Sequence, residues 1–119
     1  MYNVVKIGDK EIPMLSMASV DIFYRQTFHE DPAKLQASEN FGGVDAVDFI
    51  FKMGFIMAMR AKMTRQEMNT LTEEDYYEWL DDLDRAGLYD ATNQIFSVYE
   101  GQTDTTADAK KNGEEPTDK

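Results

Sequence analysis

The stretch VDAVDFIFKMGFIMAMRAK, residues 44–62, decides the fold. Stepped at roughly 100° per residue, it places Val47, Ile50, Phe51, Gly54, Met57, Ala58 and Ala61 on one broad side of a helix, which predicts a core-facing surface. The opposite side mixes Asp45, Asp48 and Lys52 with Phe49, Ile56, Met59 and Met63. That is more apolar surface than a solvated helix face carries, so a second face for a partner is expected there. Phe49, Ile56, Met59 and Met63 are the candidate partner-binding residues. Five methionines lie in or just after this helix, Met53, Met57, Met59, Met63 and Met68. Methionine is unbranched and polarizable, which suits irregular packing in a core and also surfaces that accept varied partners.

Upstream, Tyr2–Ile7 and Lys10–Leu15 flank Gly8-Asp9, a pair suited to a II′ turn because glycine accepts a positive φ. A short hairpin follows, with Pro13 confining the second strand to an edge. The period then lengthens: Val20, Phe23, Tyr24, Thr27 and Phe28 mark a first helix, capped by Ser16 or Ser19 and ended before Pro32. Asp31-Pro32 can itself open a short helix through Leu35, with Asp31 as cap and Pro32 at the first helical position.

Downstream of the central helix, Thr72 precedes three acids, Glu73, Glu74 and Asp75, that suit the positive end of a helix dipole. The stripe of that helix is Tyr76, Trp79, Leu80 and Leu83, and Gly87 is expected as its left-handed stop. Leu88, Ala91, Ile95 and Tyr99, with Thr92 and Phe96, make a further helix. The fold expected is mainly α: an N-terminal hairpin and about four helices forming one domain over residues 1–100. Residues 101–119 contain nothing more apolar than alanine and are expected to form a disordered tail.

Composition narrows the function classes. Twelve basic and 23 acidic residues give a net charge of −11, which repels nucleic acid and anionic membranes. The longest apolar run is far short of the roughly 20 residues that span a bilayer, and the N-terminus does not read as a secretory signal. Without cysteine there is no thiolate site or disulfide. Aligning Asp82–Asn93 to a calcium loop leaves Ala86 and Asn93 where ligands are required, so WLDDLDRAGLYD is read as an acidic helix face, not a metal site. The only histidine, His29, has no second imidazole or thiol to form a site with, and Glu74 with Glu78 is read as a solvated pair. No catalytic residue, cofactor site or metal site is expected. Charge is unevenly placed: residues 67–90 hold nine carboxylates against one arginine, a net of −8.

The order of KIGDKEIPML, SVDIFYRQTFHEDP, VDFIFKMGFIMAMRAK and LTEEDYYEWLDDLD resembles the tail assembly chaperones of long-tailed bacteriophages of Gram-positive hosts, over about residues 4–99. Members of that family often carry threonine-glycine-lysine-aspartate after the first helix, where this chain has Thr27, Phe28, His29, Glu30 and Asp31. The resemblance implies a non-enzymatic phage or prophage protein of the host bacterial cytoplasm, absent from the mature virion. Its partners would be the tape measure protein, kept soluble during assembly, and the tail tube protein. In that family a longer frameshifted product is often made, and Lys110-Lys111 marks where adenine-rich codons would permit it. Two other classes stand beside this one: an acidic DNA mimic that inhibits a nucleic-acid-binding protein, and a structural tail or neck component. An oily second face also implies self-association when no client is present.

Overall fold

A computed structural model describes residues 2–39 and 41–101. The expected tail and Lys110-Lys111 lie outside the described residues, apart from Gly101. Strands β1 (Tyr2–Ile7) and β2 (Lys10–Leu15) pair antiparallel, with Ile7 opposite Lys10 and Tyr2 opposite Leu15. Gly8 takes φ 61° while Asp9 stays at negative φ, the II′ pattern. A two-residue turn makes Ile7 and Lys10 a hydrogen-bonded pair, so alternation puts Pro13, opposite Val4, at a non-bonded position where no ladder bond is lost. Val5, Ile7 and Met14 point into the core, whereas Tyr2, Val4, Lys6, Glu11 and Pro13 face out.

Among the described residues there are seven helices where about four, besides the short one at Pro32, were expected. Helix α1 (Ser19–Phe28) buries the five residues that its period singles out, Val20, Phe23, Tyr24, Thr27 and Phe28. Its start departs from expectation. Ala18 occupies the cap position, and the Ser16 hydroxyl instead donates to the Tyr99 carbonyl at 3.0 Å, tying the hairpin to the last helix. His29 ends α1 in the left-handed region at φ 59°, the role that glycine usually fills. Helix α2 (Pro32–Ala37) opens as expected, Asp31 accepting from the Ala33 amide at 3.0 Å.

Helix α3 (Gly43–Arg60) is the axis on which the rest is assembled, with β2, α1 and the C-terminal helix packed around it. From Met53 to Ala58 every residue is buried, so this segment is apolar all round because it is enclosed all round. The next three helices are α4 (Arg65–Met68), α5 (Glu73–Asp81) and α6 (Arg85–Asp90), and α7 (Thr92–Tyr99) completes the fold. Capping boxes start α4 (Thr64 with Glu67) and α5 (Thr72 with Asp75), each satisfying amides that the first turn leaves orphaned. The helix expected from Leu88 onward is broken at Ala91 into α6 and α7.

Gly87 is not a helix stop. It sits in the first turn of α6 at ordinary φ, and its amide donates to the Asp84 cap at 2.7 Å. What it supplies is absence of bulk: a Cβ there would collide with the Gly8 amide nitrogen and lie 2.8 Å from the Gly8 Cα. The hairpin turn therefore docks backbone to backbone on α6.

Candidate docking groove

The four candidate partner residues separate into two pairs. Phe49 and Ile56 are 1% and 0% exposed, which corrects the expectation that they form an open face. Phe49 is closed in by rings from three directions, Tyr24 at 5.5 Å, Phe41 at 5.9 Å and Tyr99 at 5.6 Å between centroids. The charged residues beside it complete the cover. Lys52 bridges Glu30 at 3.3 Å and Asp48 at 3.0 Å and lies 5.2 Å over the Phe28 ring, so the part of the mixed face around Phe49 is covered by the end of α1 and the residues after it. Burial by itself lowers the Lys52 pKa, but its hydrogen bonds and charge pairing with Asp48 and Glu30 outweigh that and raise it. Tyr24 donates to Glu30 at 2.9 Å, and burial, then that bond, pushes its phenol well above the usual value.

Met59 and Met63 stand one turn further on and remain partly exposed. The Met63 amide donates to the Met59 carbonyl at 2.9 Å, and Arg60 donates to the Met63 carbonyl at 2.8 Å, so the helix end holds both methionines in register. Met53, Met57 and Met68, each 1% exposed or less, are core residues.

Met59 belongs to two adjoining cavities. One, of about 330 Å³, lies between the hairpin (Tyr2 of β1 with Lys10, Glu11, Ile12 and Pro13 of β2), the end of α3 and the end of α5. The other, of about 420 Å³, lies between Met59, Met63, Leu71 and the acidic side of α5. Met59, Lys62, Trp79 and Asp82 line both, so the two read as one groove with Met59 and Trp79 at its middle. Each cavity is in the size range of ligand clefts, roughly 300–1,000 Å³.

Local chemistry fixes the walls. The α5 wall is set by the Thr72–Asp75 capping box and by Tyr76, which is buried against Phe28 at 5.1 Å and Phe55 at 5.5 Å. Trp79 stacks edge-on against Phe55 at 5.7 Å, leaving part of its indole on the groove. Lys10 donates to the Asp82 carbonyl at 2.8 Å, joining the β2 wall to the end of α5. Asp75, Glu78 and Asp82 bring carboxylates to the groove from α5, which has no basic residue in its last turn.

The sequence singles out Met59 and Met63, whereas Trp79 and Leu83 fall on the expected inner stripe of their helix and Ile12 and Leu71 carry no binding signal of their own. The overlooked signal is that α5 is short and acidic on most sides, so a large indole on its stripe is only partly covered. Of the other candidates, His29 is exposed at the end of α1, Glu74 is exposed and does not line the groove, Glu78 is exposed on the groove wall, and Asp84 is engaged as the α6 cap. Among the described residues no group of three metal-ligating side chains converges, and no helix is long and apolar enough to cross a membrane. Comparison with known protein families, curated proteins and solved structures found no match for this chain.

Proposed function

We propose that this protein is a non-enzymatic assembly chaperone of a long-tailed phage or prophage, working in the host bacterial cytoplasm. Its client is the tape measure protein, which it keeps soluble while the tail tube protein assembles. The observation that carries this reading is the groove built on Met59, Met63 and Trp79 beside a segment of net charge −8. An adaptable apolar floor accepts a helix of varied sequence, and a surrounding field of carboxylates keeps loaded complexes from associating. The resemblance in order of parts points to the tape measure protein as the client, and the groove supports the reading by offering apolar surface to a helix.

Co-expression with the tape measure protein, followed by pulldown, tests this. The native chain and Val44→Glu, a change at a residue 84% exposed and far from the groove lining, should capture the client. Met63→Glu alone and Met59→Glu with Met63→Glu should lose it while keeping native circular dichroism. Undiminished capture by folded groove variants would reject the reading.

A further inference from the structure

We infer that the groove selects a helix over a strand, and among helices one that carries lysine or arginine along the flank facing α5; this rests on the reading of the groove as a client site. The first half follows from the β2 wall. Four consecutive residues of β2, Lys10 to Pro13, line the groove together with Tyr2 of β1, and successive strand residues point to opposite faces, so the groove meets the free edge of β2 as well as the outer face that Tyr2 shares with Glu11 and Pro13. Added strands bind such an edge through its unpaired amides. Glu11 and Pro13 are the residues whose backbone groups turn outward there, being opposite Lys6 and Val4 at non-bonded positions. Proline has no N–H, which leaves the Glu11 amide as the single donor along this part of the wall. A helix satisfies its own backbone and loses nothing by this.

The second half follows from α5. Asp75, Glu78 and Asp82 are spaced i, i+3 and i+7, one side of a helix over roughly 10 Å of axis. Trp79 lies between them, so the acidic strip borders the apolar floor directly. Two cations also line the groove, Lys10 on the β2 side, where it donates to the Asp82 carbonyl, and Lys62 on the α3 side, so the carboxylates of the α5 side form the groove's acidic border. An amphipathic helix with apolar anchors at i and i+4 over Met59 and Met63 has its flanks at i+3 and i+10 on one side and at i+1 and i+8 on the other, and one of these flanks borders α5. Bases on that flank match the carboxylates in sign and in spacing, while acids would face like charge in a partly dry cleft.

Trp79 is the sole tryptophan, so its emission reports occupancy of the groove in the full chain. The probes are three tryptophan-free peptides of about 18 residues, long enough to hold a helix. Two share one apolar stripe and differ only in a lysine or a glutamate flank; the third is a β-branched alternating sequence with the same lysine content. The lysine helix should bind at least tenfold tighter than the glutamate helix in low salt, the gap should narrow at high salt, and Glu78→Gln with Asp82→Asn should reduce it. Equal or tighter binding of the glutamate helix, or strongest binding of the β-branched peptide, would overturn the inference. So would a shift of Trp79 emission caused only by self-association of the chain, seen by sedimentation, with no peptide effect. Failure of the chaperone reading is separable: the lysine helix would bind as stated while co-expressed tape measure protein is not captured. The reverse outcome, capture through Met59 and Met63 with no charge preference, refutes the inference alone.

Discussion

Replacing Gly87 with alanine should destabilise the protein, although alanine is the better helix former. In an open helix the exchange would add about 1 kcal/mol of stability. Here the added Cβ would strike the Gly8 amide nitrogen, lie 2.8 Å from the Gly8 Cα and come within 3.0 Å of the Asp84 carboxylate that caps α6. Two of the three obstacles are backbone atoms of a turn already at φ 61°, so neither can swing aside as a flexible side chain would. Overpacking of this kind costs about 1–3 kcal/mol. Loosening the 2.7 Å bond from the Gly87 amide to Asp84 adds about 1 kcal/mol. The net loss should be about 1–3 kcal/mol, read as a lower urea midpoint at unchanged slope, and as a melting temperature lower by about 4–8 °C for each kcal/mol. Ala86→Gly, one position earlier at an exposed site on the same helix, calibrates the propensity term and should cost about 1 kcal/mol by itself. A Gly87→Ala protein more stable than the native chain would refute the backbone docking of α6 on the hairpin.

Phe49→Ala should cost about 3–5 kcal/mol and lower global stability, because three rings close around that side chain; selective loss of client binding in a fully stable protein would contradict its core placement. His29→Gly should raise stability by about 0.5–1 kcal/mol in thermal melts, since the residue is exposed and held at φ 59°; a lowered melting temperature would show that the imidazole has a role in the turn. Tyr24, Tyr76 and Tyr99 should ionise late in a spectrophotometric titration. Burial raises each of them first, and burial with the hydrogen bond to Asp21 pushes Tyr99 up to about 12. The fold favours the protonated phenols, so their stability contribution is full below pH about 10 and is lost as pH rises through the higher folded values. Simultaneous ionisation of all six tyrosines near pH 10 in folded protein would contradict this.

Local chemistry was legible where one residue type dictates the backbone. Gly8-Asp9 specified the turn, Asp31-Pro32 the start of α2, and Thr72 with its acids the start of α5. The period of Val20 to Phe28 marked the buried face of α1 for the same reason. Helix α4 escaped although Thr64 and Glu67 spell a capping box, because a four-residue helix has too few turns to show a period. Gly87 reads as a helix stop in the sequence because glycine serves both left-handed stops and close backbone approach, and only the position of Gly8 in space separates the two. Half of the candidate site failed on a similar ground. An apolar residue on the polar side of α3 is open or covered according to what lies above it, and at Phe49 the cover comes from Tyr24, Phe41 and Tyr99, distant in sequence from one another. Met59 and Met63 stay partly open because they lie where α3 ends, beyond the reach of α1.

The open end of α3 is where the client should touch the chain. A photocrosslinking residue, p-benzoylphenylalanine, placed at Met63 and separately at Ile22, an exposed apolar position on α1 that does not line the groove, puts contact itself to the measurement. Irradiation of the co-expressed complex should join the tape measure protein to the chain from position 63 and not from position 22; a crosslink from 22 with none from 63 would place the client on another face.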